Sequence, residues 1–149
     1  MQLVLFCGIQ ATGKSTFYQQ RFFHTHVRLS LDLLRTRHRE QRLLRVCLET
    51  QMRCVIDNTN PTRAERATYI LPAKEAGFEI VGYFFQSITA DALVRNRQRP
   101  PERQIPDKGI RGTRSRLELP TRAEGFDKLY FVRAVGNQEF ALTEWQDEV

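Results

Sequence analysis

GIQATGKST, running from Gly8 to Thr16, fits the spacing G-x-x-x-x-G-K-[ST] known as Walker A. Its two glycines let the backbone curl so that successive N–H groups face one point, a concave seat for a β-phosphate. Lys14 adds a mobile cation for the β- and γ-phosphates, and the Ser15 hydroxyl suits Mg²⁺. A helix that starts at Gly13 aims its positive end at the same anion. By average residue frequencies the bare pattern arises by chance in roughly one chain of this length in several hundred. The plain alternative is a glycine turn with an exposed lysine. Context favours the phosphate seat: Gln2 to Cys7 reads as a buried strand leading in, and Gly13 to Phe23 carries helical spacing leading out. Gly8, Gln10, Ala11, Thr12, Gly13, Lys14, Ser15 and Thr16 are the expected contacts to a nucleoside triphosphate, with Mg²⁺ beside it.

Outward from this loop, strands and helices alternate. Val27 to Ser30 reads as a short strand, Leu33 to Gln51 as one long helix, and Cys54 to Ile56 as a third strand ending in Asp57. Pro61 suits a helix start and Gly77 a helix stop, which brackets a helix over Thr62 to Ala76. Glu79 to Phe85 reads as a strand and Ala90 to Arg99 as a helix broken by Pro100 and Pro101. Pro100 to Gly112 is loop-like, rich in proline and arginine, and fits either a lid or a plain surface loop. A lid would occupy about residues 95–116. Lys128 to Val135 and Glu139 to Leu142 form a C-terminal β-hairpin with a tight turn at Gly136-Asn137. The pattern predicts an α/β chain: a parallel sheet between two helical layers, a three-layer sandwich in a single domain over residues 1–149. Ligands of such sheets sit beyond the carboxyl ends of the strands, where each motif falls.

The chain has 149 residues, 41% hydrophobic and 27% charged, which is enough for one sizeable core. No apolar run approaches the roughly 18 residues of a spanning helix. Leu3 to Cys7 is too short for a secretory signal, so the cytoplasm is the expected compartment. Three cysteines, Cys7, Cys47 and Cys54, with no C-x-x-C pair, argue against a disulfide framework and against zinc. The net charge is +6, with arginine far outnumbering lysine. Guanidinium groups bind phosphate as a fork, so the bias points to a polyanion, either a nucleotide or a nucleic acid.

Three further readings stay open on spacing alone. Asp32 follows the second strand by two residues and Arg35 follows Asp32 by three, which puts both on one face if a helix starts there. That carboxylate could take a proton from an attacking hydroxyl, or it could simply cap a helix with Arg35 solvated. Asp57, at the end of an apolar strand, fits a Mg²⁺ ligand acting with Ser15, or a turn with Asn58, Thr59 and Asn60. Arg95 and Arg99 are one helical turn apart, with Arg97 facing elsewhere. They fit a clamp over a triphosphate or a solvated basic face.

These residues together resemble a known family. GIQATGKSTF (Gly8 to Phe17), LSLDLLR (Leu29 to Arg35), VIDNTNPTRAERATY (Val55 to Tyr69), LVRNRQR (Leu93 to Arg99) and PTRAEGFDKL (Pro120 to Leu129) resemble the kinase domain of the 5′-hydroxyl polynucleotide kinases. The likeness runs from Leu3 to about Val132. It implies an adenylate-kinase-like phosphate-loop fold and transfer of the γ-phosphate of ATP to the 5′-hydroxyl of a DNA or RNA acceptor. It implies Asp32 as general base, Arg35 on the phosphate 3′ of the acceptor nucleotide, Lys14 and Ser15 on ATP·Mg²⁺, and Arg95 and Arg99 in a lid. Many members carry Arg-Asp-Asp where this chain has Leu31-Asp32-Leu33, and some place their acid at the position of Asn58 rather than Asp57. A kinase for a small metabolite, nucleoside or sugar, and a non-catalytic ATP-binding switch, are the rival readings.

Overall fold

The computed structural model describes residues 1–147. Its centre is a six-stranded sheet built from β1 (Gln2–Cys7), β2 (Val27–Leu29), β3 (Cys54–Ile56), β4 (Glu79–Phe85), β5 (Lys128–Gly136) and β6 (Glu139–Glu144), in the order β2-β3-β1-β4-β5-β6. The first five are parallel and β6 returns antiparallel along β5. The apolar run of β1 is what a central parallel strand requires, because both its faces are covered. Leu3, Leu5 and Cys7 point to one face, where they meet α3 (Arg37–Glu49) and α4 (Arg63–Glu75) through Leu44, Cys47, Tyr69, Ile70 and Ala73. Val4 and Phe6 point to the other, onto α1 (Lys14–Arg21) through Phe17 and Tyr18. The α/β phosphate-loop fold expected from the sequence is therefore the fold observed.

Several expected boundaries shift, each for a local reason. The long helix expected over Leu33 to Gln51 is two pieces, α2 (Leu31–Leu34) and α3. Arg35 breaks it with φ 75° and ψ −31°, and Thr36 restarts the chain by accepting the Arg39 N–H at 3.1 Å, a helix cap. Arg35 has left the helix, so the shared-face argument for Asp32 and Arg35 fails. The loop expected over Pro100 to Gly112 contains a 3-10 turn (Pro101–Arg103) and the start of another helix, α6 (Asp107–Arg116), which follows α5 (Thr89–Arg97). Gly109 and Gly112 mask α6 in the sequence, because glycine disfavours helix interiors by about 1 kcal/mol. Arg99 lies past the end of α5, not one turn along it from Arg95. The hairpin turn sits one residue later than expected, on Asn137 and Gln138 at φ 49° and 57°, the positive pair that a two-residue hairpin needs.

All three cysteines are free and buried. No helix among the described residues is long and apolar enough to cross a membrane.

Candidate active site

The phosphate loop links β1 to α1 at the carboxyl end of the sheet. Gly8 adopts φ 151°, and a Cβ there would lie 3.0 Å from the Phe85 Cβ, so only glycine passes β4 without displacement. The Gly8 N–H is spent on the Thr59 carbonyl and the Ile9 N–H on the Ser87 hydroxyl, which fixes the root of the loop. From Gln10 to Thr16 the backbone N–H groups have no acceptor among the described residues. Gly13 caps α1 at φ 96° without a side chain to satisfy them. A run of unspent donors at a helix start is what an anion fills.

Lys14 folds back over this loop, donating to the carbonyls of Ile9 at 2.6 Å and Gly8 at 3.0 Å. Burial pushes its ammonium down to about 8. The charges of Asp57, Cys7 and Asp32 pull it up again, and that of Arg99 pushes it further down. Burial also lowers Arg99, which Asp32 raises and Arg103 lowers. Lys14 thus feels the charges of Asp57, Arg99 and Asp32, and Arg99 that of Asp32. Asp32 is exposed, on the four-residue turn α2. Arg35 is exposed and Arg95 half-buried, and neither side chain has a hydrogen-bond or ion-pair partner among the described residues.

Ser15 and Asp57 also meet, with the hydroxyl 3.2 Å from Asp57 Oδ2. Arg28 of β2, which no sequence motif singles out, holds the same pair. Its Nε donates to Asp57 Oδ2 at 2.8 Å and its Nη2 to the Ser15 hydroxyl at 3.2 Å. Asn58 faces away from this pair, with its side chain spent on the Leu31 N–H and the Glu40 carboxylate. Two hard oxygens at one point suit Mg²⁺. Here they are the Ser15 hydroxyl and the Asp57 carboxylate, while the Asn58 side chain is engaged elsewhere.

The segment over residues 95–116 is docked on the loop. Ile105 and Ile110 pack with Ile9, Ala11, Ala92 and Leu93, and Gln10 donates to the Thr113 hydroxyl at 2.9 Å. Asn96 pins the segment by exchanging two hydrogen bonds with Ile105, at 2.6 and 3.0 Å. Beneath the loop, Arg66 of α4 is fully buried. It meets Glu124 through two parallel bonds of 2.7 and 3.1 Å, and donates to the Asn60 carbonyl. The PTRAEGFDKL stretch thus supplies the counter-charge for a cation under the nucleotide seat.

The fold and this loop define a kinase-like phosphate-loop domain of the nucleotide-binding class. Residues 3–120 match the family model AAA_33, described as an AAA domain, and the chain belongs to that family. A bifunctional polynucleotide phosphatase/kinase of Schizosaccharomyces pombe is 28% identical over 131 residues. The match takes in 84% of this chain but spans only 32% of that protein. Among solved structures, Chaetomium thermophilum Kti12 in complex with ADP-AlF3 superposes with a TM-score of 0.70 at 14% identity, covering 88% of each chain. A gluconokinase from Sinorhizobium meliloti gives 0.65 at 14%, covering 92% of this chain and 85% of that one. At such identities the likeness is one of fold.

Proposed function

We propose that this protein is an ATP- and Mg²⁺-dependent kinase that transfers a γ-phosphate to a hydroxyl, the acceptor being the 5′-hydroxyl of a nucleic acid. The observation that carries the reading is the phosphate loop, with its unspent N–H groups and the Lys14 ammonium folded over it, at the same carboxyl end of the sheet as the exposed turn that carries Asp32 directly after β2. The matched stretch of the polynucleotide phosphatase/kinase supports the acceptor class.

In this reading residues 1–149 act as one kinase domain, its last two residues lying outside those described, with 95–116 as the lid. The N–H groups of Gln10 to Thr16 and the Lys14 ammonium hold the β- and γ-phosphates. Ser15 and Asp57 would hold Mg²⁺, which when bound neutralises charge on the phosphates. Asp32 accepts the proton as the acceptor O–H bond breaks. A new O–P bond forms at the γ-phosphorus, and the bond to the β-phosphate oxygen breaks with release of ADP. Lys14, Arg95 and Arg99 stabilise the charge that builds up opposite Asp32. Arg35 takes the phosphate on the 3′ side of the acceptor nucleotide.

Labelled ATP incubated with 5′-hydroxyl DNA, RNA, mononucleotides and sugars tests this. Label on an oligonucleotide, with affinity falling as salt rises, supports the proposal. Label only on a sugar or nucleoside replaces it with a small-molecule kinase. ATP binding without acceptor-stimulated turnover replaces it with a nucleotide-dependent switch.

A further inference from the structure

Glu40 is a carboxylate with no exposure at all, on α3, which is otherwise studded with exposed arginines. Ionised carboxylates are rarely buried, because the desolvation cost is several kcal/mol unless donors surround the charge. Here the donors are the Tyr69 hydroxyl at 2.6 Å, the Asn58 Nδ2 at 2.7 Å and Arg37 Nη1 at 3.4 Å. Burial and the bond to Glu40 push the Tyr69 phenol up, so it stays a neutral donor. Arg37 itself is more than half exposed. Neutral groups at short distance therefore carry most of the solvation of this charge.

The bond to Asn58 has a consequence one step further on. With its Nδ2 held by Glu40, the Asn58 amide presents Oδ1 in the opposite direction, where it accepts the Leu31 N–H at 2.9 Å. Leu31 opens α2, the turn that carries Asp32. That turn is poorly anchored by ordinary means. It is four residues long, none of them fully buried, and Ser30 before it makes no side-chain cap. Leu34 rests half-buried against the core, and its carbonyl accepts Arg39 Nη1 at 3.3 Å, which steadies the far end. At the near end, beside Asp32, the side-chain tether is Asn58, and the direction of that tether is set by Glu40.

We propose that Glu40 is a positioning residue: acting through Asn58, it aims the turn that carries Asp32 at the mouth of the phosphate loop. The inference rests on Asp32 being the base of a phosphoryl transfer. A base displaced by an ångström costs roughly a hundredfold in rate without touching the nucleotide seat. The effect therefore belongs in kcat and not in the affinity for ATP.

The test compares Glu40→Leu, Glu40→Gln, Asn58→Ala and the Glu40→Leu/Asn58→Ala pair in steady-state transfer, with the affinity for a non-hydrolysable ATP analogue measured alongside. Glu40→Leu removes every acceptor and is expected to lower kcat roughly tenfold to a hundredfold, with analogue affinity held within about twofold. Glu40→Gln keeps an oxygen for Asn58 and is expected to recover most of that loss. The double variant is expected to be no slower than the slower single one, because both changes cut the same link. Unchanged kcat in Asn58→Ala, multiplied losses in the double variant, or a parallel fall in kcat and analogue affinity overturns the proposal. Should Glu40→Leu not fold, Asn58→Ala and Glu40→Gln decide it: a slow Asn58→Ala beside a fast Glu40→Gln supports it, and equal rates in the two overturn it. Asp32→Asn in the same assay separates the two claims. An inactive Asp32→Asn beside a fully active Asn58→Ala removes the brace and leaves the kinase standing. An active Asp32→Asn removes both.

Discussion

Lys14 shows how far one side chain can be driven by its surroundings. Its folded-state value of about 8 lies below the 10.5 of a free lysine, so folding disfavours the ammonium. Between those two values the unfolded chain binds the extra proton, and stability therefore rises with pH across that window. Nucleotide affinity moves the other way, because the cation is the form that attracts phosphate. ADP affinity measured by titration calorimetry is expected to fall as pH climbs past about 8, and Lys14→Met is expected to flatten the profile. A profile that stays steep in Lys14→Met assigns the titration to another group. Arg28 invites a second measurement. Its guanidinium holds both oxygens that suit a divalent cation. Removing it in Arg28→Ala is expected to tighten Mn²⁺ binding to the ADP-bound protein several-fold, read by paramagnetic resonance. Equal affinity in the two proteins would mean that arginine and metal do not compete.

At the level of the element, the break between α2 and α3 stands out. Arg35 at φ 75° and ψ −31° sits where side chains are strained, at a cost of about 1–3 kcal/mol. Arg35→Gly is expected to raise stability by about 1 kcal/mol in urea unfolding, since glycine takes this conformation freely. The same change is expected to erase any preference for acceptors carrying a 3′-side phosphate. A less stable Arg35→Gly would show that the arginine side chain, not the backbone, governs this corner. The break was hidden in the sequence because Leu33, Leu34, Leu43, Leu44, Val46 and Cys47 keep near-helical spacing across it. Nothing in that spacing marks a residue that leaves the helix. Helix α6 was hidden for the opposite reason: only Ile110 and Thr113 of it are buried, too few to leave an apolar rhythm.

Across the whole molecule, the sheet and the phosphate loop were legible because their signals are dense and local: apolar strands, a fixed glycine spacing, prolines at helix starts. The surroundings of the loop depend on pairs far apart in the chain, which no local pattern announces. Arg66 and Glu124 are 58 positions apart, yet they form a buried double-bonded pair beneath Cys7 and Asn60. Glu124→Ala leaves the Arg66 charge uncompensated and is expected to cost about 3–5 kcal/mol in urea unfolding. A loss under 1 kcal/mol would mean that water reaches the guanidinium. Glu40, Tyr69 and Asn58 form a second such set. Arg28 escaped notice because an arginine in a short edge strand looks like a solvated one.

The last strand reaches back to the first motif. Phe140 of β6 lies so close to Gly13 that a Cβ there would come within 2.8 Å of its ring, and the same ring meets Phe17 edge-on at 5.2 Å. The floor of the anion seat is therefore completed by a residue made more than a hundred positions after it. During synthesis, a nascent chain halted before this hairpin is expected to hold nucleotide weakly and to gain its grip only once Phe140 has cleared the ribosome. A chain truncated before the hairpin is therefore expected to bind nucleotide more weakly than the whole one in titration calorimetry, and equal affinity would mean that the ring adds nothing to the seat.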